Sequence, residues 1–352
     1  MTDLSVRIGI NGFGRIGRNF LRSVLDLEAK SGSDPSRAPG VEIVAVNDLV
    51  SREANEHLLR YDSTFGRLGV EVTHTDKGFS VGDKEIVVFE ERDPKSIPWA
   101  GLDIDIVIES TGRFTSREAA SGHLDGGAKR VIISAPGKEV DATFVVGVND
   151  DTFDPTRHFV VSMASCTTNC LVPMVKVLDD AFGVRQGLMT TVHAYTNDQS
   201  ILDLGRDNLR RARAAAINII PSTTGAARST SLVLEAMKGR LDGQSLRVPV
   251  ADGSITDLTA VLGARVGPEE INEAFRVASE TERLRGIIVY NKDQIVSSDI
   301  VGCPASCTFD STLTMAIAMD ESTTLAKVLG WYDNEWGYSH RLVDLARILG
   351  SA

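Results

Sequence analysis

The chain has 352 residues, 42% of them apolar and 24% charged, with a net charge of −11. That length is enough for two domains with proper cores. The acidic balance argues against a surface built for nucleic-acid phosphates or an anionic membrane, no run approaches the roughly 18 apolar residues of a membrane span, and four cysteines are too few for a disulfide scaffold.

Val6–Ile10 reads as a short buried strand, followed by a glycine turn. Ile16, Phe20, Leu21, Val24 and Leu25 then fall on one face of a helix. Lys30–Gly40 is a polar loop rich in Pro, Gly and Ser, and Glu42–Val46 is a second strand ending at Asn47-Asp48. Ile86–Phe89, Ile104–Ile108, Arg130–Ser134 and Phe159–Ser162 are further strand candidates with helix-like stretches between several of them. Alternation of this kind predicts a mostly parallel, helix-covered sheet. After Met163 the texture changes. Leu171, Val175, Leu178 and Phe182 mark a helix, and Leu188–Ala194, Leu246–Pro249, Ser254–Leu262, Gly286–Tyr290 and Thr312–Ala318 read as β-rich. This predicts a second domain with a more antiparallel sheet, a boundary near Ser165, and a closing helix over Leu342–Leu349.

Gly12-Phe13-Gly14-Arg15-Ile16-Gly17 matches G-x-G-x-x-G between a strand and a helix. The first glycine permits a tight turn, the second lets the backbone approach a pyrophosphate, and the third permits close helix packing. The helix N-terminus offers unpaired N–H groups to the anion. Asp48 ends the second strand, 31 residues past Gly17 where about 20 is usual, and the Lys30–Gly40 loop absorbs the excess. An acid there accepts from ribose hydroxyls and repels a 2′-phosphate, which favours NAD over NADP.

Ser165-Cys166-Thr167-Thr168-Asn169-Cys170 joins a strand to a helix. At the first helical turn the partial positive charge stabilises a thiolate, so Cys166 is a candidate nucleophile with a lowered pKa. An inert buried cysteine fits the position as well. Cys170, one turn deeper, should face the core, and Cys303 and Cys307 fall in a Pro-containing loop. No metal is expected, because the cysteine pairs lack further ligands at zinc spacing. His193 ends a β run and is a candidate base for Cys166. Arg210, Arg211 and Arg213, the Thr223-Thr224-Gly225 turn and Arg247 are basic or hydroxyl groups suited to a phosphorylated substrate.

INGFGRIGR (Ile10–Arg18), SCTTNC (Ser165–Cys170), HAYTNDQ (His193–Gln199), LRRARAAA (Leu209–Ala216) and WYDNEWGYSHR (Trp331–Arg341) closely resemble the phosphorylating glyceraldehyde-3-phosphate dehydrogenases. So do LLRYDSTFGR (Leu58–Arg67), ERDP (Glu91–Pro94), STG (Ser110–Gly112) and VSSD (Val296–Asp299), in family order over nearly the whole chain. The resemblance implies an α/β protein with a Rossmann-type domain, residues 1–165 with 334–352, and an α+β catalytic domain with a mostly antiparallel sheet, residues 166–333. It implies NAD-dependent oxidation of glyceraldehyde 3-phosphate with uptake of inorganic phosphate, the glycolytic step, through a thiohemiacetal and thioester on Cys166 with His193 as base.

By the same resemblance Thr196, Asp198 and Arg247, with Arg211 shared or adjacent, would hold the substrate phosphate. Ser165, Thr167, Thr224 and Gly225 would hold the attacking phosphate. Gly12, Phe13, Gly14, Arg15, Ile16, Gly17 and Asp48 would hold pyrophosphate and ribose, with Arg92, Ser110, Thr111 and Ser134 lining the adenine side. Asn334 would bond the nicotinamide carboxamide and Tyr338 would pack near that ring. A cytoplasmic homotetramer is implied, with no membrane or primary nucleic-acid partner. Erythrose-4-phosphate dehydrogenase and a non-catalytic binding protein on the same scaffold are the competing readings. The chain departs from the family at the longer Lys30–Gly40 loop, at Leu204-Gly205 in place of Leu-Pro, and at VPVADGSITDL (Val248–Leu258) in place of VPTPNVSVVDL.

Overall fold

The structure is a computed structural model that describes residues 5–32 and 40–351. Residues 33–39, most of the expected surface insertion, lie outside the described residues. Two compact units emerge: Met1–Phe144 with Asp150–Ala164 and Ser339–Ala352, and Val145–Asn149 with Ser165–Tyr338.

The first unit is built on β1 (Val6–Asn11), β2 (Val41–Asn47), β3 (Val72–Thr75), β4 (Gly78–Val81), β5 (Lys84–Phe89), β6 (Ile106–Glu109), β7 (Arg130–Ile133), β8 (Ala142–Thr143) and β9 (Val160–Ser162). Their order in the sheet is β8-β9-β7-β6-β1-β2-β5-β4-β3. All pairs from β8 to β5 are parallel, and β4 and β3 add an antiparallel edge. Burial on both faces explains the near-continuous apolar runs of β1, β2 and β6: Ile8, Ile10, Val46, Ile106 and Ile108 are all fully enclosed. Trp99 packs with Val44, Ala45, Ile97, Ile104, Val107 and Ala128. It lies so close to β1 that a Cβ on Gly9 would stand 2.6 Å from its ring. Helix α1 (Arg15–Ser31) follows β1 directly. The strand order reverses about β1, so a crevice opens beyond the carboxyl ends of β1, β2 and β6, where ligands bind in such sheets.

The second unit carries α2 (Cys166–Phe182), β10 (Val184–Ala194), β11 (Ile220–Thr223), α3 (Ala226–Val233), β12 (Leu241–Val248), β13 (Ser254–Leu262), β14 (Ile288–Asn291), β15 (Cys307–Asp310), β16 (Met315–Ala318) and β17 (Thr324–Tyr332). The sheet order is β11-β12-β10-β13-β17-β15-β14, with β16 beside β17. Most pairs are antiparallel; β10 with β12 and β14 with β15 run parallel. Cys170, Leu171, Met174, Val175 and Leu178 form the buried face of α2. Helix α4 (Trp336–Gly350) closes the chain.

Three expectations need correction. Cys307 is not a loop residue; it opens the buried strand β15, while Cys303 remains in the preceding turn. The Thr312–Ala318 strand begins only at Met315, because Asp310 caps a 3₁₀ turn over Ser311–Leu313. Strands β3, β4, β11 and β17 were not visible as apolar patterns. The buried face of β17 is Thr324, Ala326, Val328, Gly330 and Tyr332, too small and mixed to stand out.

Candidate active site

The glycine turn sits at the carboxyl end of β1. Gly12 has φ +90°, and a Cβ there would lie 2.7 Å from the Thr111 nitrogen, so only glycine fits. A Cβ on Gly17 would lie 2.3 Å from the Gly12 oxygen, which is the close helix packing expected of the third glycine. Gly14 faces open space. Beside it is a cleft of about 350 Å³ lined in part by Gly12, Gly14, Asp48, Arg92, Ser110 and Thr111. The Asp48 carboxylate accepts from the Phe13 N–H at 2.6 Å and the Val50 N–H at 2.9 Å. That ties the end of β2 to the glycine turn and leaves each oxygen with a further lone pair. A dinucleotide fits here: a glycine with nothing before it, the N-terminus of a 17-residue helix and an acid at the end of the second strand meet in one cleft.

Other residues expected at this cleft point elsewhere. Phe13 is in the core, 5.8 Å from the Phe79 ring, so only its backbone belongs to the turn. Arg15 is paired with Asp62 and lies over Phe65, which leaves its main chain at the helix start. Ile16 is half-buried on α1. Ser134 donates its hydroxyl to the Glu109 carbonyl at 3.0 Å. Asn334 and Tyr338 are buried in the second unit.

In that second unit Ser165 caps α2, its hydroxyl accepting from the Thr168 N–H, and Cys166 is the first helical residue. Ala164, just ahead, takes φ +55°, a left-handed conformation costing about 1 kcal/mol for a residue with a Cβ. Strands β10 and β12 pair in register at His193 and Arg247. The outcome is Cys166 Sγ 3.4 Å from His193 Nε2. On its other side, His193 Nδ1 lies 2.7 Å from the Ala194 carbonyl and 2.6 Å from Arg247 Nη1, which also donates to that carbonyl at 3.0 Å. The Ala194 carbonyl calls for a hydrogen on Nδ1, whereas Arg247, which can only donate, calls for a lone pair there. In the tautomer with Nδ1–H on the carbonyl, Nε2 presents its lone pair to the sulfur.

The expected lowering of the thiol pKa is overturned. Burial pushes the Cys166 thiol up to about 11, outweighing Arg247 and the N–H groups of Thr167 and Cys166. Burial, then the Arg247 charge, pulls His193 down to about 3. A lone thiolate or a lone imidazolium is therefore disfavoured. A proton passing from Sγ to Nε2 makes both charges at once, each the other's counterion.

Around this pair, Thr196 and Arg211 both bond Asp198, and Arg211 also reaches the Ser222 hydroxyl at 2.8 Å. Thr224 accepts from the Ala226 N–H, and Gly225 is the N-cap of α3. Thr167 departs from expectation: its hydroxyl is buried against the Tyr332 hydroxyl at 2.8 Å. Tyr332 was missed in the sequence although it lies in the WYDNEW stretch. Its hydroxyl bridges Thr167 and Thr191 Oγ1, both at 2.8 Å, and its ring meets His193 edge-on with centroids 6.0 Å apart. Tyr332→Phe should leave two buried threonine hydroxyls short of a partner and lower stability by about 1–2 kcal/mol, read as a drop in the denaturation midpoint.

Ser254 accepts from the Ala194 N–H and donates to Asn334 Oδ1 at 2.7 Å, linking the histidine strand to the C-terminal motif. The altered VPVADGSITDL stretch has a local reason too. Gly253 takes φ +86° where a Cβ would lie 2.3 Å from the Ser297 oxygen, and Asp252 is buried beside Asp333. Burial and the Asp333 charge raise the Asp252 carboxyl well above the usual range. No cluster of three or more His, Cys, Asp or Glu among the described residues is arranged to hold a metal.

A Rossmann unit with an open glycine turn places the chain among dinucleotide-dependent oxidoreductases, and a cysteine held against a histidine at a helix start is a second feature of the same chain. Residues 6–117 match the glyceraldehyde 3-phosphate dehydrogenase NAD binding domain and residues 165–334 match its C-terminal domain. The chain is 56% identical over 348 residues to glyceraldehyde-3-phosphate dehydrogenase of Streptomyces coelicolor and 51% identical over 348 residues to that of Geobacillus stearothermophilus, covering 99% of each chain in both cases. It is 52% identical over 351 residues to that of Mycobacterium tuberculosis, covering 99% of this chain and 100% of the relative. The chain belongs to the glyceraldehyde-3-phosphate dehydrogenase family, and NAD is its cofactor.

Proposed function

We propose that the chain oxidises glyceraldehyde 3-phosphate to 1,3-bisphosphoglycerate with NAD and inorganic phosphate. The observation that carries this reading is the 3.4 Å contact between Cys166 Sγ and His193 Nε2 at the start of α2. Cys166 Sγ attacks the aldehyde carbon while its proton moves to Nε2 and on to the carbonyl oxygen, giving a thiohemiacetal. Bound NAD supplies the acceptor for the hydride of that adduct's C–H bond. His193 takes the hydroxyl proton as the C–H bond breaks, and a thioester remains on Sγ. A phosphate oxygen then attacks the thioester carbon, the C–S bond breaks, and Cys166 leaves with its proton restored from His193. Covalent capture keeps the acyl group from water until phosphate arrives.

Arg247, Thr196, Asp198 and Arg211 are proposed to hold the substrate phosphate, and Ser165, Thr224, Gly225 and the main chain at Thr167 the attacking one. Gly12, Gly14, Asp48, Arg92, Ser110, Thr111 and the α1 N-terminus are proposed to hold the adenosine and pyrophosphate of NAD. Asn334, oriented by Ser254, is assigned to the carboxamide, with Tyr338 near that ring. Functionally, residues 1–165 with 334–352 form the cofactor domain and 166–333 the catalytic one. A cytoplasmic homotetramer completes the proposal. Its support is a run of exposed apolar side chains, Ile201, Leu202, Leu204, Leu209, Ile217 and Ile219; light scattering reads the assembly mass. No helix among the described residues is long and apolar enough to cross a membrane.

The test is kcat/KM for NADH formation with glyceraldehyde 3-phosphate and with erythrose 4-phosphate, each with phosphate present. A clear preference for the four-carbon sugar overturns the substrate assignment, and no turnover with either overturns the enzymatic one. Asp48 gives a further expectation. Asp48→Gly removes the charge that repels a 2′-phosphate and the clamp on the Phe13 N–H. NAD affinity should fall and the NAD/NADP preference should shrink about tenfold or more; an unchanged ratio removes Asp48 from cofactor choice.

A further inference from the structure

Glu109 ends β6 and is 2% exposed, its carboxylate enclosed by hydrogen-bond donors. Four donors meet its two oxygens. Oε2 accepts from Asn11 Nδ2 at 2.6 Å and from His123 Nε2 at 3.0 Å. Oε1 accepts from the Thr111 N–H at 2.8 Å and the Thr111 hydroxyl at 2.5 Å. That is the partner set of a carboxylate whose lone pairs are all used.

The directions of the shorter bonds in this cluster follow from groups that admit one role; Asn11 Nδ2 and His123 Nε2 also lie 3.3 Å apart, both turned to the same Glu109 oxygen. The Trp99 indole can only donate, and it donates to His123 Nδ1 at 3.0 Å, so a neutral His123 carries its hydrogen on Nε2 and gives it to Glu109. At the far end Asn47 Oδ1 accepts from the Glu91 N–H at 2.8 Å and Asn47 Nδ2 donates to the Glu91 carbonyl at 2.9 Å. Asn47 Nδ2 therefore also donates to Asn11 Oδ1 at 2.7 Å, which turns Asn11 Nδ2 toward Glu109. One polarised chain runs from the Trp99 core to four cleft segments: Asn11 precedes Gly12, Asn47 precedes Asp48, Glu91 precedes Arg92, and Thr111 lines the cleft itself.

We propose that Glu109 and His123 are positioning residues for the cofactor: as one buried hydrogen-bonded hub they hold the four segments of the NAD cleft in register without touching the reacting atoms. This rests on the functional reading above. Networks of this kind act as units, because a half-satisfied one leaves buried donors facing each other. Glu109→Gln is nearly isosteric, yet it turns one acceptor oxygen into an NH2 that must face either the Asn11 and His123 donors or the two Thr111 donors.

The experiment measures NAD binding by calorimetry on the full chain, alongside steady-state kinetics and the rate of Cys166 alkylation by iodoacetamide. Glu109→Gln should raise the NAD Kd and KM about tenfold or more. Its kcat at saturating NAD should stay within about twofold of wild type, with unchanged Cys166 alkylation. His123→Gln, which keeps a donor for Glu109, should bind NAD more tightly than His123→Leu. Trp99→Phe, which frees the His123 tautomer, should weaken NAD by a smaller factor, and it decides the matter if Glu109→Gln does not fold. Wild-type NAD affinity in folded Glu109→Gln, or in Trp99→Phe in that event, overturns the inference alone. A wild-type chain that takes no NAD overturns the functional reading and this inference with it.

Discussion

Cys166→Ala should reduce phosphate-dependent NADH formation from glyceraldehyde 3-phosphate by at least about 10⁴-fold, the scale seen when a covalent nucleophile is removed. The loss belongs to kcat, because no other cysteine is placed to carry the acyl intermediate. Cys170 and Cys307 are fully buried, and Cys303 lies in a turn against the Thr308 hydroxyl. NAD binding should be largely retained, since the cleft proposed for its adenosine and pyrophosphate belongs to the other unit. Single-turnover kinetics with acid-quenched protein provides the direct check. Wild type should show an acyl group on one cysteine when phosphate is withheld, and the variant none. Substantial turnover in Cys166→Ala would remove the thiol from the mechanism.

His193→Asn should lower kcat about 10²–10⁴-fold, the usual contribution of a positioned general base. Its second effect distinguishes this protein's site from an ordinary exposed cysteine. Burial raises the Cys166 thiol to about 11, and the helix terminus does not reverse that. In wild type the departing proton has a partner 3.4 Å away. Without the imidazole the thiolate must form alone, so its population rises only as pH climbs toward the raised value. Iodoacetamide alkylation of His193→Asn should be slow at pH 7 and increase about tenfold per unit through pH 9. Wild type should react faster at pH 7 with a shallower rise. Superimposable pH profiles for the two proteins would show that His193 does not support the thiolate.

The sequence was most readable where a residue's role depends on its immediate neighbours. Strands β1, β2 and β6 stood out because burial on both faces demands near-continuous apolar runs. The turn at Gly12 was visible because strand, glycine spacing and helix are contiguous, and the helix start at Ser165-Cys166 carries its own capping residue. Strands β3 and β4 were lost because VTHT and GFSV are four residues long and mix polar and apolar residues. β3 lies at the sheet edge, where a strand needs little buried surface and so leaves little pattern. Glu109 had a signal that was passed over: a lone acid ending the apolar run Ile106-Val107-Ile108.

By itself the sequence determined the glycine turn, the capped cysteine helix, the alternation of the first unit and the family motifs, because each is set by contacts between residues near in the chain. Only the tertiary structure decided that Cys166 meets His193 across 27 residues, that Thr167 turns inward to Tyr332 across 165, and that burial outweighs the helix terminus at the sulfur. Desolvation and side-chain direction depend on everything packed around a group. Those neighbours come from distant strands that only the folded sheet brings together.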